Sequence, residues 1–164
     1  MKTDQNLKEA FAGESQANRK YHAFARKADE EGYPSVAKLF RAAAEAEAIH
    51  AYSQLRAMGG IKTTAENLQA AIDGETYEFT EMYPRFIKDA EEEGASGQAK
   101  RAFYLANEAE KVHAELYRKA LEALEKKEEI EYFLCTGCGY IQENSAPEKC
   151  PICGAPAKAF KNVG

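Results

Sequence analysis

The first 117 residues are written twice, and each copy pairs a lone glutamate with a later Glu-x-x-His. Copy one holds Gly13-Glu14-Ser15 and Glu47-Ala48-Ile49-His50; copy two holds Gly74-Glu75-Thr76 and Glu110-Lys111-Val112-His113. Between these anchors, Ala28-Asp29-Glu30-Glu31-Gly32 returns as Ala90-Glu91-Glu92-Glu93-Gly94, and Ala37-Lys38 as Ala99-Lys100. The offset between copies grows by one residue at two points, which reads as single-residue slips in the turns. A repeat that keeps Glu and Glu-x-x-His at matching places predicts two helical hairpins closing around a metal pair.

Apolar residues recur at i, i+3, i+4 and i+7 from about Asp4 to Glu31, including Leu7, Phe11, Glu14, Ala17, Tyr21, Phe24 and Ala28. Gly32 ends that helix and Pro34 suits the first turn of the next. The second helix carries Val36, Leu39, Phe40, Glu47, His50 and Gln54 on one stripe and stops at Gly59-Gly60. Thr63 and Glu66 form a capping box for a third helix, with Leu68, Ile72, Glu75, Glu78, Met82 and Phe86 inward. Pro84 should kink that helix. A fourth runs from about Gly97 to Lys127. The expected organisation is a four-helix bundle over residues 1–127, then a charged linker and a small cysteine domain over 128–164.

Five glutamates, Glu14, Glu47, Glu75, Glu78 and Glu110, share helical stripes with Phe, Leu, Ile and Ala. Carboxylates gathered in a bundle core repel one another and lose hydration. Two histidines cannot neutralise five of them, but two divalent metals can. Oxygen and imidazole donors suit iron or manganese. One Glu from each of two helices plus Glu-x-x-His from the other two is the ligand pattern of ferritin-like di-iron proteins. Glu78 breaks the symmetry, because its counterpart in copy one is Ala17.

All four cysteines lie near the end, as Cys135-x-x-Cys138 and Cys150-x-x-Cys153. Two such knuckles supply a tetrahedral cage of four sulfurs, which suits zinc or iron. Spacing alone favours zinc. Attachment to a di-iron bundle reverses that, because redox-inert zinc would leave the bundle without a local electron donor. Paired knuckles also fit a reducing, cytoplasmic setting. A net charge of -5 argues against nucleic acid. No run approaches the ~18 apolar residues of a membrane span.

These motifs, with Phe11-Ala12-Gly13-Glu14-Ser15-Gln16-Ala17 and Met82-Tyr83-Pro84, closely resemble the rubrerythrin family over essentially the whole chain. The resemblance implies that Glu47 and Glu110 bridge two irons, with Glu14 on the first and Glu75 and His113 on the second. It implies that the first iron exchanges His50 for Glu78 on oxidation, since ferric iron favours carboxylate over imidazole. Tyr21 and Tyr83 match tyrosines that orient carboxylates and meet bound peroxide. His22 has no match and reads as structural. The Cys-Pro-x-Cys-Gly knuckle is similar to rubredoxin, which implies one iron held by the four cysteines.

The activity so implied is reduction of hydrogen peroxide to water in oxidative-stress defence. An external reductase or rubredoxin, ultimately using NAD(P)H, would feed the cysteine iron. The rival readings are ferritin-like iron storage and a zinc-ribbon interaction protein. About 14 residues separate His113 from the end of its helix, some 21 Å, so the chain's own cysteine centre is expected to lie too far away unless the linker folds back. A head-to-tail homodimer would solve this. Larger and domain-swapped oligomers also occur in the family.

Overall fold

Two helical hairpins follow one another, the second continuing into a small three-stranded module. The computed structural model describes residues 1–164, and its contacts divide them into two units, Met1–Lys62 and Thr63–Gly164. No helix is long and apolar enough to cross a membrane.

The first unit is α1 (Lys2–Glu30) and α2 (Pro34–Ala57). Its turn needs Gly32, whose φ of 80 lies in the left-handed region. Small residues make the helix–helix seam: Ala25 and Ala28 of α1, and Ala37, Ala44 and Ala51 of α2, are buried. The α2 alanines recur every seven residues, so the backbones approach closely along the whole length. Asn18, also buried, uses that closeness to donate from Nδ2 to the Ala44 carbonyl at 2.7 Å. The alanine edge makes this seam, while Leu39, 69% exposed, and Val36 lie off it.

The second unit begins with α3 (Thr64–Tyr77), capped as expected: Thr63 accepts from the Glu66 amide and Glu66 accepts from the Thr63 amide. A π-helical turn, Glu78–Met82, leads into α4 (Tyr83–Glu92). There the Tyr83 amide reaches the Glu78 carbonyl, five residues back. The anticipated kink at Pro84 is thus a π-turn just before it, and Pro84 sits in the first turn of α4, where its missing N–H does no harm. Ser96 caps α5 (Gly97–Glu122) by accepting from the Ala99 amide.

The two slips of the repeat now have places. The first is the π-turn, inside a helix rather than in a turn. The second arises where the loop 93–96 is one residue longer than the loop 31–33. Counted from there Phe40 pairs with Phe103, and the match of Ala37-Lys38 to Ala99-Lys100 is one residue out of register. On either side the copies match. Tyr21, Phe24 and Phe40 pack as three rings, with Phe24 and Phe40 centroids 5.5 Å apart. Tyr83, Phe86 and Phe103 repeat the cluster, with Phe86 and Phe103 at 5.7 Å.

After α5 a short 3-10 turn, Leu124–Lys126, ends at Lys127, which takes a left-handed conformation. Strands β1 (Tyr132–Cys135), β2 (Ile141–Glu143) and β3 (Phe160–Asn162) form an antiparallel sheet in the order β2-β1-β3.

Candidate metal centres

Three clusters of donor atoms emerge, each with its members within 4.8 Å of one another: Glu14, Glu47 and His50; Glu75, Glu110 and His113; and Cys135, Cys138, Cys150 and Cys153. The first two are copies. In the α1–α2 hairpin, Nδ1 of His50 is 2.9 Å from Glu47 and 4.0 Å from Glu14. In the second unit, Nδ1 of His113 is 2.6 Å from Glu110 and 4.0 Å from Glu75. The spacing of three puts each Glu and His on adjacent turns of one helix face. The lone glutamate comes from the helix packed alongside. Donors on one ion at ~2.0–2.2 Å lie at most about 4.4 Å apart, and the histidine–carboxylate distances, none above 4.0 Å, fall within that limit.

The copies differ in how firmly they hold their histidine. His50 is 55% exposed, and its Nε2 has no partner. His113 is 17% exposed, and its Nε2 lies 2.8 Å from the Gly139 carbonyl oxygen. A carbonyl and a carboxylate both only accept, so Nε2 donates to Gly139 and Nδ1 to Glu110. Burial opposes the ring's charge, but these two bonds raise His113 nonetheless. A bound metal would displace the Nδ1 proton while Nε2 kept its own.

Charge accumulates in the second cluster. Burial, then the neighbouring Glu110 carboxylate, lifts Glu75 to about 7, with His113 opposing. Burial and Glu110 also raise Glu78, which stands outside the trio yet feels its charge. Tyr83 is raised by burial and by Glu78, Glu110 and Glu75, so its hydroxyl keeps its proton beside the carboxylates. Tyr21 occupies the matching place in the first ring cluster. Tyr117, which no motif singles out, is raised as well by burial, Glu75 and Glu110. Its position one turn after His113 was the available signal. Gln54, one turn after His50, leaves a buried Oε1 without a partner.

The cysteine cage is nearly set for a tetrahedral ion. Sγ atoms of Cys135 and Cys153 are 3.6 Å apart, and those of Cys138 and Cys150 3.5 Å, against about 3.8 Å for four sulfurs at ~2.3 Å from one metal. Burial opposes ionisation of Cys150, but amides of Cys153 and Ile152 and the Cys138 and Cys153 thiols bring it down to about 7. Burial pushes Cys138 up. A thiolate cage with backbone amides aimed at sulfur suits a bound cation.

The cage is not remote from His113, because the linker does fold back. The chain reverses near Lys127 and returns along α5, so the residue after Cys138 meets His113 directly. No second chain is needed for that contact. A hollow of about 410 Å³ beside it is flanked by Glu110, His113, Cys138 and Gly139.

A duplicated helical hairpin bearing paired Glu and Glu-x-x-His, followed by a four-cysteine module, defines a ferritin-like di-iron carboxylate protein with a rubredoxin-like centre. The rubrerythrin family model matches residues 5–121, and the model described as the rubrerythrin rubredoxin-like domain matches 133–161. Nigerythrin of Nitratidesulfovibrio vulgaris is 42% identical, with 96% of this chain and 85% of the relative covered. Rubrerythrin of Porphyromonas gingivalis is 39% identical over 98% of this chain and 89% of the relative. The solved structure of fully reduced, all-ferrous nigerythrin aligns with a TM-score of 0.61 at 38% identity, covering 98% of this chain and 86% of that one. The chain belongs to the rubrerythrin family. Its cofactors are accordingly two irons in a di-iron site and one iron in the four-cysteine site.

Proposed function

We propose that the chain is a non-haem di-iron peroxidase, reducing hydrogen peroxide by H2O2 + 2 e− + 2 H+ → 2 H2O, with electrons relayed through the cysteine iron. The observation that carries this reading is the His113–Gly139 hydrogen bond, which ties the carboxylate cluster to the thiolate cage. Iron storage would need no such tie. Iron held by the carboxylates would supply the electron pair that O–O cleavage consumes, and iron held by the thiolates would supply one-electron replenishment.

The residues divide the remaining work. Glu14 and Glu47 in the first hairpin, and Glu75 and Glu110 in the second, would hold the irons. His113 is held in place from its outer nitrogen. His50 has no such restraint, which suits the ligand that oxidation would release, and Glu78 is the carboxylate that would take over. Tyr83 retains its proton and would donate a hydrogen bond to the oxygen substrate; Tyr21, at the matching place in the first ring cluster, carries the equivalent hydroxyl. Cys135, Cys138, Cys150 and Cys153 hold the relay iron. An NAD(P)H-linked reductase or a rubredoxin supplies electrons in the cytoplasm, and the working form is a homodimer or larger homo-oligomer. Residues 1–127 and 128–164 are the catalytic and relay modules.

Mixing anaerobically reduced, iron-loaded protein with two or more equivalents of peroxide per chain, enough to draw the third electron as well as the di-iron pair's two, tests this. Visible absorbance of the ferric thiolate cage should grow as peroxide disappears. A cage that stays ferrous while peroxide is consumed, or metal analysis finding zinc in it, would sink the relay.

A further inference from the structure

The four-cysteine module meets α5 at two polar points with a poorly filled seam between them. One point is the Gly139 carbonyl on His113. The other is Glu143, at the end of β2, whose Oε2 lies 3.2 Å from Nζ of Lys119 in the last turn of α5. Six residues separate His113 from Lys119, about 9 Å along the helix, so the two contacts together fix the module's orientation. Between them, Leu116 and Tyr117 face Leu134, Ile141 and Val163 across an apolar hollow of about 450 Å³. Side chains that line a hollow rather than fill it forfeit much of their packing energy. The neighbouring cation Arg118 is committed to Glu115 and Thr76, which leaves Lys119 to Glu143.

We infer that Lys119 and Glu143 are positioning residues for the electron relay, an electrostatic clamp that holds the Cys138–Gly139 segment against His113. The inference rests on the relay reading above. Neither residue touches metal or substrate; each acts through the contact it maintains. Lys119 is 62% exposed, so the clamp is weak and salt-sensitive. A weak clamp on an underpacked seam lets the module dock for transfer and release without unfolding.

Charge reversal in the full chain tests it with two readouts. In iron-loaded protein, Glu143→Lys should slow oxidation of the cysteine iron after peroxide about five-fold, as loss of an exposed pair permits. Lys119→Glu, at the more exposed position, should do the same. The double reversal should return the rate to within about two-fold of wild type. In zinc-loaded protein, Gly139 and Tyr140 amide shifts should move in each single variant and return in the double. Salt should reproduce the single-variant shifts in wild type. Single variants with wild-type rates and shifts, or a double variant no better than the singles, would overturn the clamp. A wild-type cysteine iron that never oxidises would remove the relay itself, and the zinc-loaded shifts would then decide the contact alone.

Discussion

The outer ring nitrogen of His113 is bonded to the backbone of Gly139, next to a cysteine of the thiolate cage, whereas the same atom of His50 bonds to nothing. Duplication supplied two equal histidines, and the module folded onto α5 made them unequal. In the metal-free protein, His113→Asn should therefore lose about 1–3 kcal/mol of stability, the usual result of stripping a half-buried hydrogen bond. His50→Asn should stay within about 0.5 kcal/mol of wild type. Thermal and urea melts of the two variants check this, and equal losses would contradict it.

Metal-free protein should also weaken as pH rises toward neutrality. Glu75 titrates near 7 when folded, chiefly through burial and Glu110, against an ordinary value of 4.5. A carboxyl raised by folding contributes stability that is complete below pH 4.5 and lost as pH climbs through 7. Melting temperature of the metal-free chain should fall between pH 5 and 8. Glu75→Gln should flatten that slope, and so should iron, whose charge stabilises the ionised cluster.

Glu78→Ala should slow peroxide turnover about ten-fold or more while iron content stays at the wild-type level. The trio of Glu75, Glu110 and His113 is complete without it. Rapid-mixing kinetics with metal analysis decides the point, and wild-type turnover in the variant would refute the ligand exchange.

Stripping metal from the cysteine cage should unfold β1–β3 and leave the helices standing. The module's fully buried side chains are mainly Cys135 and Cys150, too few to replace the metal as a source of folding energy. Amide exchange should rise across residues 132–162, with little change in helical circular dichroism. Protection persisting in the strands would argue for a self-sufficient apolar core.

Deleting Thr80 should convert the π-turn to regular α-helix. Thr80 is exposed and spends its hydroxyl on the Thr76 carbonyl of the same helix. The deletion should raise the melting temperature by a few degrees yet lower peroxide turnover, because π-turns are strained insertions placed where function needs them. A stabilised variant with unchanged turnover would make the turn a neutral relic.

The helices, the Thr63–Glu66 cap and the three donor clusters could be read from periodicity and spacing, since Glu-x-x-His and Cys-x-x-Cys impose their geometry locally. The Ser96 cap of α5 could not be. The π-turn was misread as a slip in a turn, although its trace was present. Tyr21 and Tyr83 already carry the extra residue, ahead of Gly32 and Gly94. A helix that gains one residue keeps its hydrophobic stripe after a local widening, so periodicity hides the change. The docking of the cysteine module was not legible at all. It depends on Lys119 meeting Glu143 and His113 meeting Gly139, pairs far apart in sequence with no repeating pattern behind them. The alanine seam escaped for a related reason: bulky residues dominate any hydrophobic stripe, while close helix contact selects small ones.

The three-ring clusters, Tyr21–Phe24–Phe40 and Tyr83–Phe86–Phe103, lie wholly within their own hairpins. Each hairpin thus carries private glue for its own two helices. Evolution could rewrite one copy, adding Glu78 and a helical insertion, without loosening the other. Mutational freedom at the metals was a by-product of duplicating a unit that already held itself together.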